Sequence, residues 1–196
     1  KISDCSPREI YKLLTGCIVP RPIAFVSTRS ADGIPNVAPF SFFNVVHPSI
    51  VMFVIGAAKG RKKDTLVNIE QHPEFVINIV TEDMMQQMHD TAADFRPEID
   101  EFAETGLTPV PAKWIDGIAV KESPVKLECR LQQIVPVKSS RMVLAEVVYM
   151  EVDDEFYKGN HYIDFERLQP VARFTGNSYG TIGRYVKLER NIDPDK

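Results

Sequence analysis

The chain has 196 residues, 44% hydrophobic and 26% charged, with a formal net charge of −4, a composition suited to a globular protein with one sizeable core. That charge gives no electrostatic reason to expect nucleic acid or an anionic membrane as partner, and no apolar run approaches the roughly 20 residues a membrane helix requires. Cys5, Cys17 and Cys129 have no C-x-x-C spacing, so neither a zinc site nor a redox dithiol is indicated, and the odd count without a signal-like segment leads us to expect a reducing cytoplasm.

In chain order, Ser6 and Pro7 ahead of a run to Leu14, with Gly16 after it, carry a helix's punctuation: a capping serine, proline at the first position and glycine past the end. Arg21 to Asn44 then reads as a hairpin, with a strand over Ile23 to Thr28, a turn at Asp32 and Gly33, and a return from Asn36 to Phe43. On the return limb Phe40, Phe42 and Phe43 crowd round Ser41 and Asn44. Large apolar surface beside short hydrogen-bonding groups suits a planar, polar-edged ligand better than a plain core. Past His47 and Pro48, the continuous apolar run Ile50 to Ile55 is expected to be a strand buried on both faces.

A basic run follows, Lys59, Arg61, Lys62 and Lys63, which reads either as a solvated loop or as a phosphate holder. Asp64 to His72 has helical spacing, with Asp64 as the expected cap and Pro73 as the stop. Phe75 to Val80 alternates as a strand, and Thr81 to Asp90 reads as a second helix because Met84, Met85 and Met88 share a face. Ala92 to Trp114, rich in Asp, Glu and Pro, reads as an excursion with a short helix near Glu98 to Thr105, a candidate lid or subunit contact. Val125 to Val135 and Met142 to Val152 form an expected antiparallel pair, with Glu128 and Arg130 on the face opposite Leu127, Cys129 and Leu131. A turn at Tyr157 to His161 and an apolar segment from Leu168 to Phe174 lead to Gly176 to Gly180. Strands dominate without regular strand-helix alternation. The pattern predicts one domain over 1–196, mainly β with α, as a mostly antiparallel barrel with peripheral helices.

Neither G-x-G-x-x-G nor G-x-x-x-x-G-K-[ST] occurs, which removes the sequence argument for Rossmann or P-loop nucleotide sites. His47, His72, His89 and His161 form no H-x-x-x-H or H-E-x-x-H pair, so metal chemistry has no local support. Cys17 has only Arg21 nearby to lower its pKa and reads as a buried cysteine. What remains is the hairpin and the basic loop taken together. Ser27, Thr28 and Ser41 offer hydroxyls and Asn44 an amide to a heteroaromatic edge. Lys63, Asp64 and Thr65 stand at a helix start, where backbone N–H groups, the helix dipole and a lysine make an anion site. Ring edge on one element and phosphate on the next describe a mononucleotide, and a capped surface helix beside a core hairpin fits the same residues equally well.

The chain resembles the flavin reductase-like proteins with the FMN-binding split barrel, particularly the flavoredoxin branch. Five blocks in the same order carry the likeness: Arg21 to Thr28; Gly33 to Asn44; Lys63 to Thr65 with Asn68; Glu122 to Cys129; and Pro170 to Arg173 with Tyr179. The resemblance implies a six-stranded Greek-key split barrel with helices at its rim, a homodimer, and one FMN per subunit near the dimer interface. It would lay Ala38, Pro39, Phe40, Ser41, Phe42, Phe43 and Asn44 along the isoalloxazine and ribityl chain with Ser27 and Thr28 nearby. Lys63 and Thr65, helped by Arg61, would take the phosphate, and Arg173 and Tyr179 would close the site. The function it implies is an FMN-binding oxidoreductase moving electrons from NAD(P)H through flavin to an acceptor. The alternative is a flavin-binding electron carrier without direct NAD(P)H oxidation. Hydride transfer to flavin needs no protein acid or base of its own, which accords with the missing catalytic dyad; Ser41 or a backbone N–H beside it is the expected donor to the flavin.

Overall fold

The computed structural model describes residues 1–57 and 60–189, so Lys59 of the basic run lies outside the described residues. The first helix, α1 (Pro7–Cys17), begins as its sequence dictates. Ser6 N donates to Glu9 Oε2 at 2.7 Å and Glu9 N to Ser6 Oγ at 3.4 Å, a complete capping box. Gly16 falls inside the helix rather than past its end. The last carbonyls are closed instead by the buried Arg21 guanidinium, whose Nη1 donates to Thr15 O and Ile18 O, both at 2.7 Å. Cys17, at the end of the helix, is exposed and not buried as expected.

Seven strands form one antiparallel sheet: β1 (Ala24–Arg29), β2 (Pro35–Phe40), β3 (Phe43–His47), β4 (Ile50–Ile55), β5 (Glu74–Asn78), β6 (Val125–Val137) and β7 (Ser140–Val152). Their order is β2-β1-β5-β6-β7-β4-β3. The resemblance implied six strands, and the seventh comes from the hairpin's return limb. That limb stops at Phe40, the chain bends through Ser41 and Phe42, and Phe43 already belongs to the next strand, pairing with Phe53. Phe42 O accepts from Val54 N at 2.9 Å, which fixes the bend against β4.

The sheet curls into a half-barrel because strands near its two ends share one core. Ala24 and Val26 of β1 and Phe40 of β2 meet Phe53 and Ile55 of β4 around Phe75. The Phe40 and Phe53 rings lie 5.4 Å apart and Phe53 meets Phe75 edge-on at 5.8 Å. Register shifts near Leu144 and Val147 bend the long β6–β7 pair. Leu66 and Ile69 of α2 (Asp64–Gln71) close this core.

A second core lies on the opposite face of β1 and β2. Ile23, Phe25 and Val37 pack there against Met84 and Met88 of the methionine segment, Phe102 and Val171. The helices on this side are α3 (Met85–Asp90), preceded by one 3-10 turn, and α4 (Glu101–Thr105) in the excursion. So β1 and β5, not β4, are buried on both faces. Along β4 only Val51, Phe53 and Ile55 are buried, while Ile50, Met52 and Val54 are partly exposed.

The outer face of β6 holds down the end of the excursion. Glu128, opposite Cys129 as its alternation predicts, is buried and accepts from Lys113 N at 2.7 Å, Trp114 N at 2.8 Å and Ile115 N at 3.0 Å. Three backbone donors satisfy a carboxylate that could not otherwise remain buried. Near the end of the chain, Arg21–Pro22 pairs with Ala172–Arg173, which pairs with Tyr179–Gly180. This brings the closing segment back beside α1, where Arg21 Nη2 reaches Phe174 O. Among the described residues no helix is long and apolar enough to cross a membrane.

Candidate functional site

The bend after β2 opens a cavity of about 440 Å³ between the sheet end and α1. Ala38, Pro39, Phe40, Ser41 and Phe42 form one wall, Val54, Gly56 and Ala57 a second, and Tyr11, Thr91, Ala92 and Ser140 complete the rim. Its size and its mixture of apolar surface with a few hydroxyls are those of a small-molecule site. Tyr11 and Phe42 meet edge-on at 6.3 Å, and the Arg21 guanidinium lies 6.0 Å from the Phe42 ring centroid. Of three other cavities, those of about 340 and 430 Å³ are lined largely by carboxylates and neutral polar groups and that of about 330 Å³ by Arg61, Lys62, Lys63 and Arg141 among others; none includes the hairpin's aromatic wall.

At one end the cavity reaches Lys63, which also lines a small adjoining pocket with Arg61, Asp64 and Thr65. Lys63 is the N-cap residue of α2, and Asp64, expected there, is the first helical residue. The reason lies in charge. Asp64 turns back to Arg61, whose Nη1 contacts both its oxygens at 2.8 Å. That bond is the main cause holding Arg61 above its ordinary pKa. Among the described residues Lys63 makes no ion pair. The leading amides of α2, where the dipole is positive, and this lysine therefore face the same space.

The other sequence-predicted residues divide cleanly. Ser27 is buried and turned away, donating to Ile118 O at 2.6 Å and accepting from Asn78 Nδ2 at 3.0 Å. Thr28 and Thr65 both spend their hydroxyls on Asn36 Oδ1, at 2.9 and 3.1 Å. Phe43 packs against the barrel core, and Asn44 is exposed with its Oδ1 accepting from Val45 N at 2.8 Å. These five side chains do not line the cavity, although the backbone of Thr65 stands at the helix start. Arg173 and Tyr179 sit apart from its walls but close to each other: the guanidinium lies 4.5 Å over the phenol ring and donates to its oxygen. The same phenol oxygen lies 2.9 Å from His89 Nδ1, within hydrogen-bond distance. Burial raises the Tyr179 pKa, with Arg173 acting in the opposite sense. His89 precedes by two residues the Thr91 of the cavity rim.

Sequence reasoning missed Tyr11, Thr91 and Ser140, which reach the rim from three distant segments and carry no local signal. It also missed a buried polar network behind the hairpin. Asn36 donates through Nδ2 to both oxygens of Glu101 at 2.7 Å, Val37 N adds a bond at 3.1 Å, and Asn68 Nδ2 donates to Thr28 Oγ1 at 3.0 Å. Burial pushes the Glu101 carboxyl up to about 7, with the Asn36 and Val37 bonds opposing. The signal lay in the sequence as an isolated Asn and Glu, 65 residues apart. The thiol of Cys129 is deeply buried and pushed well up from its ordinary range, which makes it inert. Among the described residues no cluster of His, Cys, Asp or Glu could hold a metal.

An aromatic-walled slot joined to a lysine and a helix start fits a ring system carrying an anionic tail, and a flavin mononucleotide has that shape and charge. Residues 15–170 match the family described as Flavin reductase like domain. The structure superposes on nitrilotriacetate monooxygenase component B from Bacillus cereus with a TM-score of 0.92 and 31% identity, covering 96% of each chain. It superposes on 2-nitrobenzoate 2-nitroreductase from Pseudomonas fluorescens with a TM-score of 0.90 and 30% identity, covering 99% of this chain and 97% of that one. Flavoredoxin of Desulfovibrio vulgaris shares the fold, with a TM-score of 0.74, 24% identity, and 90% and 93% of the two chains covered. The chain belongs to the flavin reductase-like family.

Proposed function

We propose that this protein binds FMN in the cavity beside β2 and moves electrons from a reduced nicotinamide through that flavin to an acceptor. The observation that carries the reading is the continuity of the aromatic-walled cavity with Lys63 and the start of α2. Ala38 to Phe42 and Val54 would flank the ring system, and Ser41 would offer a hydroxyl to its polar edge. Lys63 and the leading amides of α2 would hold the phosphate. Bound flavin supplies the hydride chemistry; the chain orients it, excludes water with Tyr11 and Phe42, and fixes its polar end by charge.

Ser27, Thr28, Phe43 and Asn44 enter this reading as supports of the wall rather than as contacts. Arg173 and Tyr179 would limit the approach of the second substrate through their contact with His89. Relatedness near 30% to a nitroreductase and a monooxygenase component supports turnover over a pure carrier role. The carrier alternative rests on flavoredoxin, whose 24% identity speaks for the fold alone. A homodimer completes the proposal. Tyr11 and Leu14 of α1, Ile18 just past its end, and Val45 and Val46 of β3 are exposed large apolar residues, the kind of surface a second copy would cover.

The test is the visible spectrum of the purified, FMN-reconstituted protein, followed by anaerobic addition of NADH and NADPH. A flavin band that bleaches with either nicotinamide is the expected result. No flavin band after reconstitution would overturn the reading, and flavin that stays oxidised with both nicotinamides would leave the electron carrier.

A further inference from the structure

The end of the cavity where a phosphate would sit is closed by the excursion, and the closure is made of charge. Arg61 Nη2 reaches across to Asp94 Oδ1 at 3.2 Å and to Phe95 O at 2.5 Å. Beyond them Glu101 fastens the same segment to β2 through Asn36 and Val37. The pocket beneath measures about 30 Å³, against about 440 Å³ for the cavity it adjoins. The segment thus narrows the site at Arg61 and Lys63.

The charges say the same. Arg61 and Lys63 face the pocket together with the carboxyl groups of Asp64, Asp94 and Glu101. The carboxyl groups offset the two cations, so an incoming dianion is held more strongly once one acid leaves. The three are not equally held. Asp64 makes two 2.8 Å contacts with 21% of its side chain exposed, and Glu101 is buried with three hydrogen bonds. Asp94 makes a single ion-pair contact with 72% of its side chain exposed, and exposed single-contact pairs are the weakest kind.

We propose that Asp94 is a placeholder for the ligand's phosphate: the phosphate takes Arg61 Nη2 from it, Asp94 turns into solvent, and the Asp94–Phe95 end of the strap lifts. This inference rests on the FMN reading above. The same nitrogen holds both Asp94 and the Phe95 carbonyl, so one exchange of partners releases the strap at that end. Glu101 keeps the other end on β2, which makes the segment a flap hinged at α4. The device favours phosphorylated flavin over free riboflavin, because only the former can take the place of the aspartate.

Titrations of FMN and riboflavin against the native protein, Asp94→Asn and, as a charge-matched control, Asp83→Asn test it. Asp94→Asn should tighten FMN by about two- to fivefold, the range an exposed ion pair spans, and leave riboflavin unchanged. Inorganic phosphate should compete with FMN at correspondingly lower concentration on that variant. Asp83→Asn should alter neither flavin. Equal gains for both flavins, an equal gain in Asp83→Asn, or no change in FMN affinity would overturn the placeholder role. Failure of the native protein to bind either flavin would instead overturn the cofactor reading on which it rests.

Discussion

The two ends of the cavity are built on opposite principles. At the ring end, Ala38 to Phe40 stand on β2, whose alternate residues belong to the barrel core, and Ser41 and Phe42 form the bend that follows, so the wall is rigid because Phe40 is locked against Phe53. At the phosphate end, Arg61 is tied to Asp64 and Asp94 by ion pairs that are at least partly exposed, so the arrangement beside Lys63 can exchange partners at small cost. Hydrophobic packing fixes where a ligand lies. Replaceable charge decides which ligand it is and when it enters.

Each end can be broken separately. Phe40→Ala removes a buried ring from the barrel core and should cost on the order of 3–5 kcal/mol of stability, read as a fall in the urea midpoint, with FMN and riboflavin lost together. A smaller effect is expected at Glu101, whose folded pKa of about 7 stands above its ordinary 4.5. The folded protein then binds more protons than the unfolded chain between these values, so stability should fall as pH rises from about 4.5 to about 7. Asp64 repels the ionised form, and Arg61 and Lys63 across the same pocket partly screen it. With allowance for that screening and for solvent, the loss is about 1 kcal/mol, or about 2–4 °C in Tm for a chain of this size. Glu101→Gln should flatten the pH dependence of Tm across this window; a slope unchanged in the variant would assign the titration elsewhere. The smallest effect belongs to Tyr179→Phe. It removes the hydroxyl between Arg173 and His89 and should change nicotinamide KM by no more than severalfold with FMN affinity intact, and steady-state kinetics on the FMN-loaded protein would show it.

What the sequence made legible follows the same division. The capping serine Ser6, the β6–β7 pair and the methionine face were readable because each is set by residues close together in sequence. Relatedness through the five blocks made the fold readable as well. The double burial of β1 was misassigned to β4, because apolarity alone does not tell how many layers cover a strand: Ser27 and Thr28 are buried as polar residues through Asn78 and Asn36. The aromatic wall was legible as composition, and five residues near it were not, since alternation along β1 and the bend at Ser41 decide which way each side chain points. Asp94 and Glu101 were hidden within a weakly periodic excursion, and only the tertiary fold brings them to Arg61 and Asn36.

The central claim is that the ring and the phosphate are held by different parts of the site, the latter by Lys63. The most direct test measures FMN and riboflavin dissociation constants in parallel for the native protein and Lys63→Ala. The account predicts that FMN weakens by about tenfold, the scale of a charge-assisted contact, while riboflavin changes less than about twofold. Equal losses for both flavins, or none for FMN, would contradict it.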